Sequence, residues 1–168
     1  MDVSRALKNP GQIYPFEASV ELEPMEYMAD PLDFQEITVK GELLCAGNNR
    51  VSVTGQVSAR ADTRCSRCLE PVSFPMTAEL DAVFDRQPDP DDPDLYSFEA
   101  SSIELTDAVR DALLLNMPMR VLCREDCRGI CPRCGINLNK GPCTCQEGAE
   151  ITNPFSALKN IVLKDEEV

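Results

Sequence analysis

The sequence contains no histidine and no tryptophan, and aromatic residues make up only 5% of its 168 positions. Without histidine there is no Ser–His or Cys–His pair to activate a nucleophile. A mixed cysteine–histidine metal site is also excluded, so any zinc must be held by thiolates, with at most a borrowed carboxylate. An all-thiolate zinc leaves no coordination position open to water, which argues against metal-assisted hydrolysis. No glycine-rich phosphate loop and no nucleophile elbow occurs. These absences predict a protein that is not an enzyme and takes no small-molecule substrate. No apolar run reaches the ~18 residues of a membrane span. Residues 1–14, MDVSRALKNPGQIY, have no apolar stretch like that of a signal peptide. The expected location is cytoplasmic, with no membrane attachment. In that reducing compartment clustered cysteines serve as metal ligands more often than as disulfides.

Positive charge is also scarce. Lysine and arginine number 16 against 29 aspartates and glutamates, a net charge of −13. Such a surface repels phosphate backbones and favours a basic protein partner; it also serves solubility alone. The exception is local. Arg120, Arg124, Arg128, Arg133 and Lys140 outnumber Glu125 and Asp126 in one stretch. This arginine island coincides with the densest cysteines, although each zinc bound by four thiolates would add two negative charges back.

What is present is a set of period-two segments, the mark of half-buried strands. Phe16, Ala18, Val20 and Leu22 form the first, and Ile37, Val39, Leu43 and Cys45 the second. Val51, Val53, Val57, Ala59 and Ala61 form the third. Val72, Phe74, Met76, Ala78, Leu80, Ala82 and Phe84 form the fourth. Short connections among the last three predict hairpins, one of them turning at Gly47-Asn48-Asn49. Gly41 and Gly55 interrupt the inner faces as bulges or close backbone approaches. The stretch DRQPDPDDPDLYSF, from residue 85, is too rich in proline and aspartate to build a core and reads as a solvated loop. Leu105, Ala108, Val109, Ala112 and Leu113 then follow helical spacing, with Thr106 or Ser102 as cap and Pro118 beyond the end. In the tail, Phe155, Leu158, Ile161 and Val162 recur at helical spacing behind Asn153 and Pro154. The predicted class is α+β: an antiparallel β-sheet of hairpins covered by a helix, with a C-terminal cysteine-rich zinc-knuckle module. Residues 1–121 form the sheet-plus-helix core, with the acidic loop at 85–95. Residues 122–147 form the cysteine module, and 148–168 a helical tail.

Eight of the nine cysteines fall in two clusters. Cys131-Pro-Arg-Cys134-Gly135 has the form of a metal-binding turn. Two intervening residues let backbone amides point at sulfur, and the glycine supplies the left-handed conformation the turn requires. Cys143 and Cys145 close a tetrahedron from the other side. Cys65-Ser-Arg-Cys68, at the turn between the third and fourth strands, needs two more ligands, and Cys123 and Cys127 are the pair that remains. One or two structural zinc ions follow, and mixed sets, such as Cys127 joining the first site, stay open. A thioredoxin-like role for Cys65 and Cys68 fits poorly, because no βαβ setting surrounds them. An oxidation-sensing switch that ejects zinc is a further alternative. Cys45, alone on an inner strand face, reads as a small buried apolar residue.

Taken together, RCSRCLEPVSF (64–74), IELTDAVRDALLLNMPM (103–119), LCREDCRGICPRCGINLN (122–139), CTC (143–145) and NPFSALKNIVL (153–163) resemble the YceD family of large ribosomal RNA subunit accumulation proteins. CRGICPRCGINLN is the most specific of these stretches. The resemblance implies a non-enzymatic factor that supports accumulation of 23S rRNA and large-subunit biogenesis. It also implies that the Cys131 site is a subfamily stabiliser, since some members keep only the CxxC hairpin. With the acidity, it points to a basic ribosomal protein or assembly factor as partner. The alternative is direct rRNA contact through Arg120, Arg124, Arg128 and Arg133.

Overall fold

A computed structural model describes residues 1–47, 50–88, 91–92 and 94–145. The predicted tail helix, and Asn48 and Asn49 of the predicted turn, lie outside the described residues.

The architecture is one sheet with helices on its apolar side. A short helix α1 (Ser4–Lys8) precedes β1 (Ile13–Ser19), β2 (Met25–Tyr27), β3 (Asp30–Gly47), β4 (Arg50–Arg64), β5 (Pro71–Asp85) and β6 (Leu95–Ser97), and α2 (Thr106–Leu115) follows. Strand order is β1-β3-β4-β5-β6, with β2 paired to β3 off this path. All pairings are antiparallel except β5–β6, which is parallel. The inward set is the one alternation predicts: Val39, Leu43 and Cys45 of β3, Val51, Val53, Val57 and Ala61 of β4, and Ala78, Leu80, Ala82 and Phe84 of β5 are all buried. Covering them are Ala108, Val109, Ala112 and Leu113 of α2. Cys45 belongs to this core.

β3 begins earlier than periodicity predicts. Its inner face runs through Leu32 and Phe34, then changes parity to Ile37 and Val39. The register against β4 slips between Gln35 and Thr38, and Glu36 takes a φ of 54°. One bulged residue moves every later side chain to the opposite parity, which hides the first half of the strand from a period-two reading. Gly41 faces Gly55 in the β3–β4 register. A Cβ on Gly55 would stand 2.5 Å from the Lys40 carbonyl oxygen and 2.7 Å from the Gly41 Cα. The two glycines are therefore a close backbone approach.

Three expectations are corrected. The first strand lies at Ile13–Ser19 and not at 16–22, although Tyr14, Phe16 and Ala18 keep the predicted inward parity. The acidic segment is not loop throughout. Leu95–Ser97 forms β6, Phe98 is buried, and the Tyr96 ring lies 5.4 Å from that of Phe84. The apolar cluster at its end overrides the aspartates before it. The start of α2 has no side-chain cap, and its flanking residue is Leu105 rather than Thr106 or Ser102. The N-terminus carries a contribution that no periodicity signalled. Val3 and Ala6 are fully buried, and residues 1–3 exchange backbone hydrogen bonds with 101–103.

Candidate metal centre

The turn between β4 and β5 is where the cysteines assemble. Cys65 directly follows β4, and its N–H donates to the Glu70 carbonyl (2.8 Å). The Leu69 N–H returns to the Cys65 carbonyl (2.9 Å), with Leu69 at φ 61°. The second turn repeats this pattern: Cys131 N–H to Ile136 O at 2.8 Å, Gly135 N–H to Cys131 O at 2.9 Å, and Gly135 at φ 72°. The two Cys-x-Arg-Cys turns are thus the same structure used twice. Leucine holds the left-handed position in one and glycine in the other.

Both turns aim backbone amides at their first sulfur. Burial pushes the Cys65 thiol up, but the N–H groups of Arg67, Cys68 and Cys123 outweigh it and bring it down to about 6. Cys131 is also held at about 6 by the N–H groups of Cys134 and Arg133. Burial, together with neighbouring thiols, pushes Cys123 up to about 12. The Cys134 thiol and burial do the same for Cys145. Burial pushes the Cys127 thiol up, but the Asn139 amide and the Gly129 N–H outweigh it and bring it down. Each cluster thus has at least one thiol poised to ionise, while Cys123 and Cys145 need a cation before they give up their protons.

Cys65, Cys68, Cys123 and Cys127 converge as one tetrad, and Cys131, Cys134, Cys143 and Cys145 as another, the four sulfurs of each lying within 4.8 Å of one another. Cys127 sits with the first group and not with the second. Sulfur–sulfur distances are 3.8 Å for Cys65–Cys127 and 3.6 Å for Cys68–Cys123, across 62 and 55 residues of sequence. A tetrahedron with metal–sulfur bonds of ~2.3 Å has edges of about 3.8 Å, so the spacing fits a metal ion. All nine thiols are free of disulfides. Cys65 is completely buried, as suits a closed structural site.

The tetrads are stitched together. Arg67 donates from Nη1 to the Cys127 carbonyl (2.8 Å), and its own carbonyl accepts the Ile130 N–H (3.1 Å). Glu70 accepts from Asn137 Nδ2 (3.1 Å) and pairs with Lys140 Nζ (2.6 Å). Asn139, in the loop of the second tetrad, donates from Nδ2 to the Cys127 sulfur of the first (3.3 Å). Its Oδ1 accepts from the Arg128 N–H and from Arg124, both at 2.8 Å. Glu70, Asn137 and Asn139 are residues that sequence reasoning missed. Only their place within or beside the cysteine runs marked them. Of the arginine island, Arg124 also pairs with Asp126 (3.3 Å). Arg120, Arg124, Arg128 and Arg133 are all exposed.

Among the described residues no helix is long and apolar enough to cross a membrane. No solved structure matches the chain. An uncharacterized protein of Mycobacterium tuberculosis is 28% identical over 151 residues, covering 84% of this chain and 72% of that protein. The uncharacterized protein YlbN of Bacillus subtilis is 30% identical over 131 residues, covering 75% of each. A chloroplast protein of Arabidopsis thaliana, large ribosomal RNA subunit accumulation protein YCED homolog 1, is 36% identical over 47 residues, covering 28% of this chain and 15% of that protein. The model of the family described as large ribosomal RNA subunit accumulation protein YceD matches residues 53–162, which take in β4 from Val53 onward, β5, α2 and all eight clustered cysteines. The chain therefore belongs to the YceD family.

Proposed function

We propose that this protein is a zinc-stabilised, non-enzymatic factor that supports accumulation of large-subunit (23S) rRNA. Family membership is the observation that carries this reading. Two all-thiolate tetrads favour zinc, because soft sulfur donors in tetrahedral array suit it and leave no open position for catalysis. The metal would be structural. It would hold the segment from Cys123 to Cys145 against the end of the sheet.

The route to rRNA accumulation is through protein. A net charge of −13 attracts a basic ribosomal protein or assembly factor and makes the encounter fast and salt-sensitive. Depleting the protein from cells should lower the ratio of large- to small-subunit rRNA, and capture from lysate should recover ribosomal proteins or assembly factors at low salt. An unchanged rRNA ratio contradicts the function. A second reading is direct rRNA contact through Arg120, Arg124, Arg128 and Arg133. Their shared exposure along the cysteine-bearing segment supports it, since arginine can pair with phosphate and stack on unpaired bases. Neutralising all four would then abolish RNA association, and zinc content is measured alongside because Arg124 also holds Asn139.

A further inference from the structure

β5 is an edge strand over most of its length. β6 covers it only from Val83 to Asp85. From Pro71 to Ala82 its outer side has no backbone hydrogen-bond partner among the described residues. Pro75 lacks an N–H, so the stretch able to accept a further strand is Met76 to Ala82. The opposite edge, β1, is shorter and carries Pro15 within it, and is a poorer template.

Beside this open stretch runs a groove of about 420 Å³ between β5 and α2. Leu80, Val83, Ala108, Ala112 and Leu115 give it apolar surface. Leu115, the last residue of α2, is 87% exposed although it lies only two residues beyond the buried Leu113. Glu79, Asp81, Asp94 and Asp111 also line the groove, and no lysine or arginine does. Asp111 is engaged by the Tyr96 hydroxyl at 2.9 Å and by Arg110 at 3.6 Å. Glu79, Asp81 and Asp94 have no such ion pair among the described residues.

Unpaired backbone groups on a strand edge, next to a helix that walls a groove, are the two elements that receive an added strand. The edge supplies main-chain hydrogen bonds, and the groove selects side chains. Charge alone would not define a site here, because acidic side chains also serve to keep open edges from self-associating. The apolar surface and the exposed Leu115 are what that protective role does not require.

We propose that the β5 edge from Met76 to Ala82, walled by α2, receives an extended basic segment of a partner protein as an added strand. Alternate side chains of that segment would meet the apolar surface, and the intervening lysines or arginines would meet Glu79, Asp81 and Asp94. At ~3.4 Å per residue the open stretch accommodates about six or seven residues. This deepens the reading that acidity recruits a basic protein, and rests on it.

The test uses the full, metal-loaded chain and a short fluorescent peptide alternating lysine with valine. Two controls accompany it: a glutamate–valine peptide, and a lysine–valine peptide N-methylated at every residue, which keeps its charge but has no backbone N–H to donate along either edge. The expected result is saturable binding of the first peptide only, with new hydrogen-exchange protection at amides of residues 76–82. The triple variant E79Q/D81N/D94N should weaken it about tenfold. Equal binding of the N-methylated peptide overturns the proposal, as does protection gained elsewhere. Protection already present in the free chain and lost when residues 146–168 are removed also overturns it, by assigning the edge to the chain's own tail. If the edge fails while lysate capture still recovers ribosomal proteins at low salt, this assignment falls and the wider function stands.

Discussion

Arg67 grips Cys127 across 60 residues of sequence: its Nη1 donates to the Cys127 carbonyl at 2.8 Å. Arg67 belongs to the first Cys-x-Arg-Cys turn, and Cys127 closes the tetrad of which that turn supplies half. The side chain therefore orients a ligand-bearing segment without touching its sulfur. Asn139 completes the arrangement from the other direction, with its amide on the Cys127 sulfur. Groups that orient ligands in this way govern how tightly a metal is kept.

Replacing Asn139 by alanine should therefore weaken metal retention by the Cys65 tetrad by about 10–100-fold, as second-layer substitutions do. Chelator competition on the reduced protein measures this. Arg67→Ala should act in the same direction. Retention unchanged in both variants would show that the two tetrads are energetically independent.

Gly55→Ala tests the close approach of β3 and β4. The added methyl meets the Lys40 carbonyl oxygen and the Gly41 Cα, and both are backbone atoms that cannot swing aside. A loss of about 2–3 kcal/mol is expected, in the upper part of the range for overpacked cores. Urea denaturation reads it directly. Gly47→Ala offers a contrast. No heavy atom of the described residues lies within 4 Å of a Cβ there, but φ is +93°, so the expected cost is backbone strain.

Strand alternation in β4 and β5 and helical spacing in α2 were legible because each is an uninterrupted period facing one core. β3 was legible only after its bulge, since Glu36 shifts the inward parity from Leu32 and Phe34 to Ile37 and Val39. β2 was hidden for a different reason. Its two-residue turn, Met28-Ala29, has φ values of 52° and 69° with neither glycine nor asparagine to announce it. Likewise Leu69 occupies the left-handed position that Gly135 marks in the second turn. Cysteine spacing pointed to both tetrads. It left the membership of Cys127 open, because pairing across 62 residues depends on the fold. Val3 and Ala6 carry no periodic signal at all, and their burial follows from backbone pairing with 101–103.

The Met28-Ala29 turn makes its own prediction. Non-glycine residues in the left-handed region cost roughly 1–2 kcal/mol each, and Met28 is exposed. Met28→Asn with Ala29→Gly should raise stability by about 1 kcal/mol and Tm by about 2–4 °C. Calorimetry checks it, and a lowered Tm would mean that Met28 makes a contact worth more than the strain.

Tyr96 should titrate late. Burial, the hydrogen bond to Asp111 and the charges of Asp111 and Asp107 push its phenol up to about 12. The folded value lies above the unfolded one of about 10, so the neutral phenol stabilises the fold below pH ~10, and that contribution is lost as pH rises through about 12. Ultraviolet titration should show a phase near pH ~12 that Tyr96→Phe removes. Persistence of that phase in the variant would assign it to another tyrosine.

The central structural claim is that eight cysteines form two separate four-thiolate sites. Native mass spectrometry of the fully reduced protein, purified with zinc present, tests it most directly. Two zinc ions per chain are predicted, falling to one in the double variant Cys131→Ser/Cys134→Ser. A single zinc in the unaltered chain would contradict the account of two tetrads.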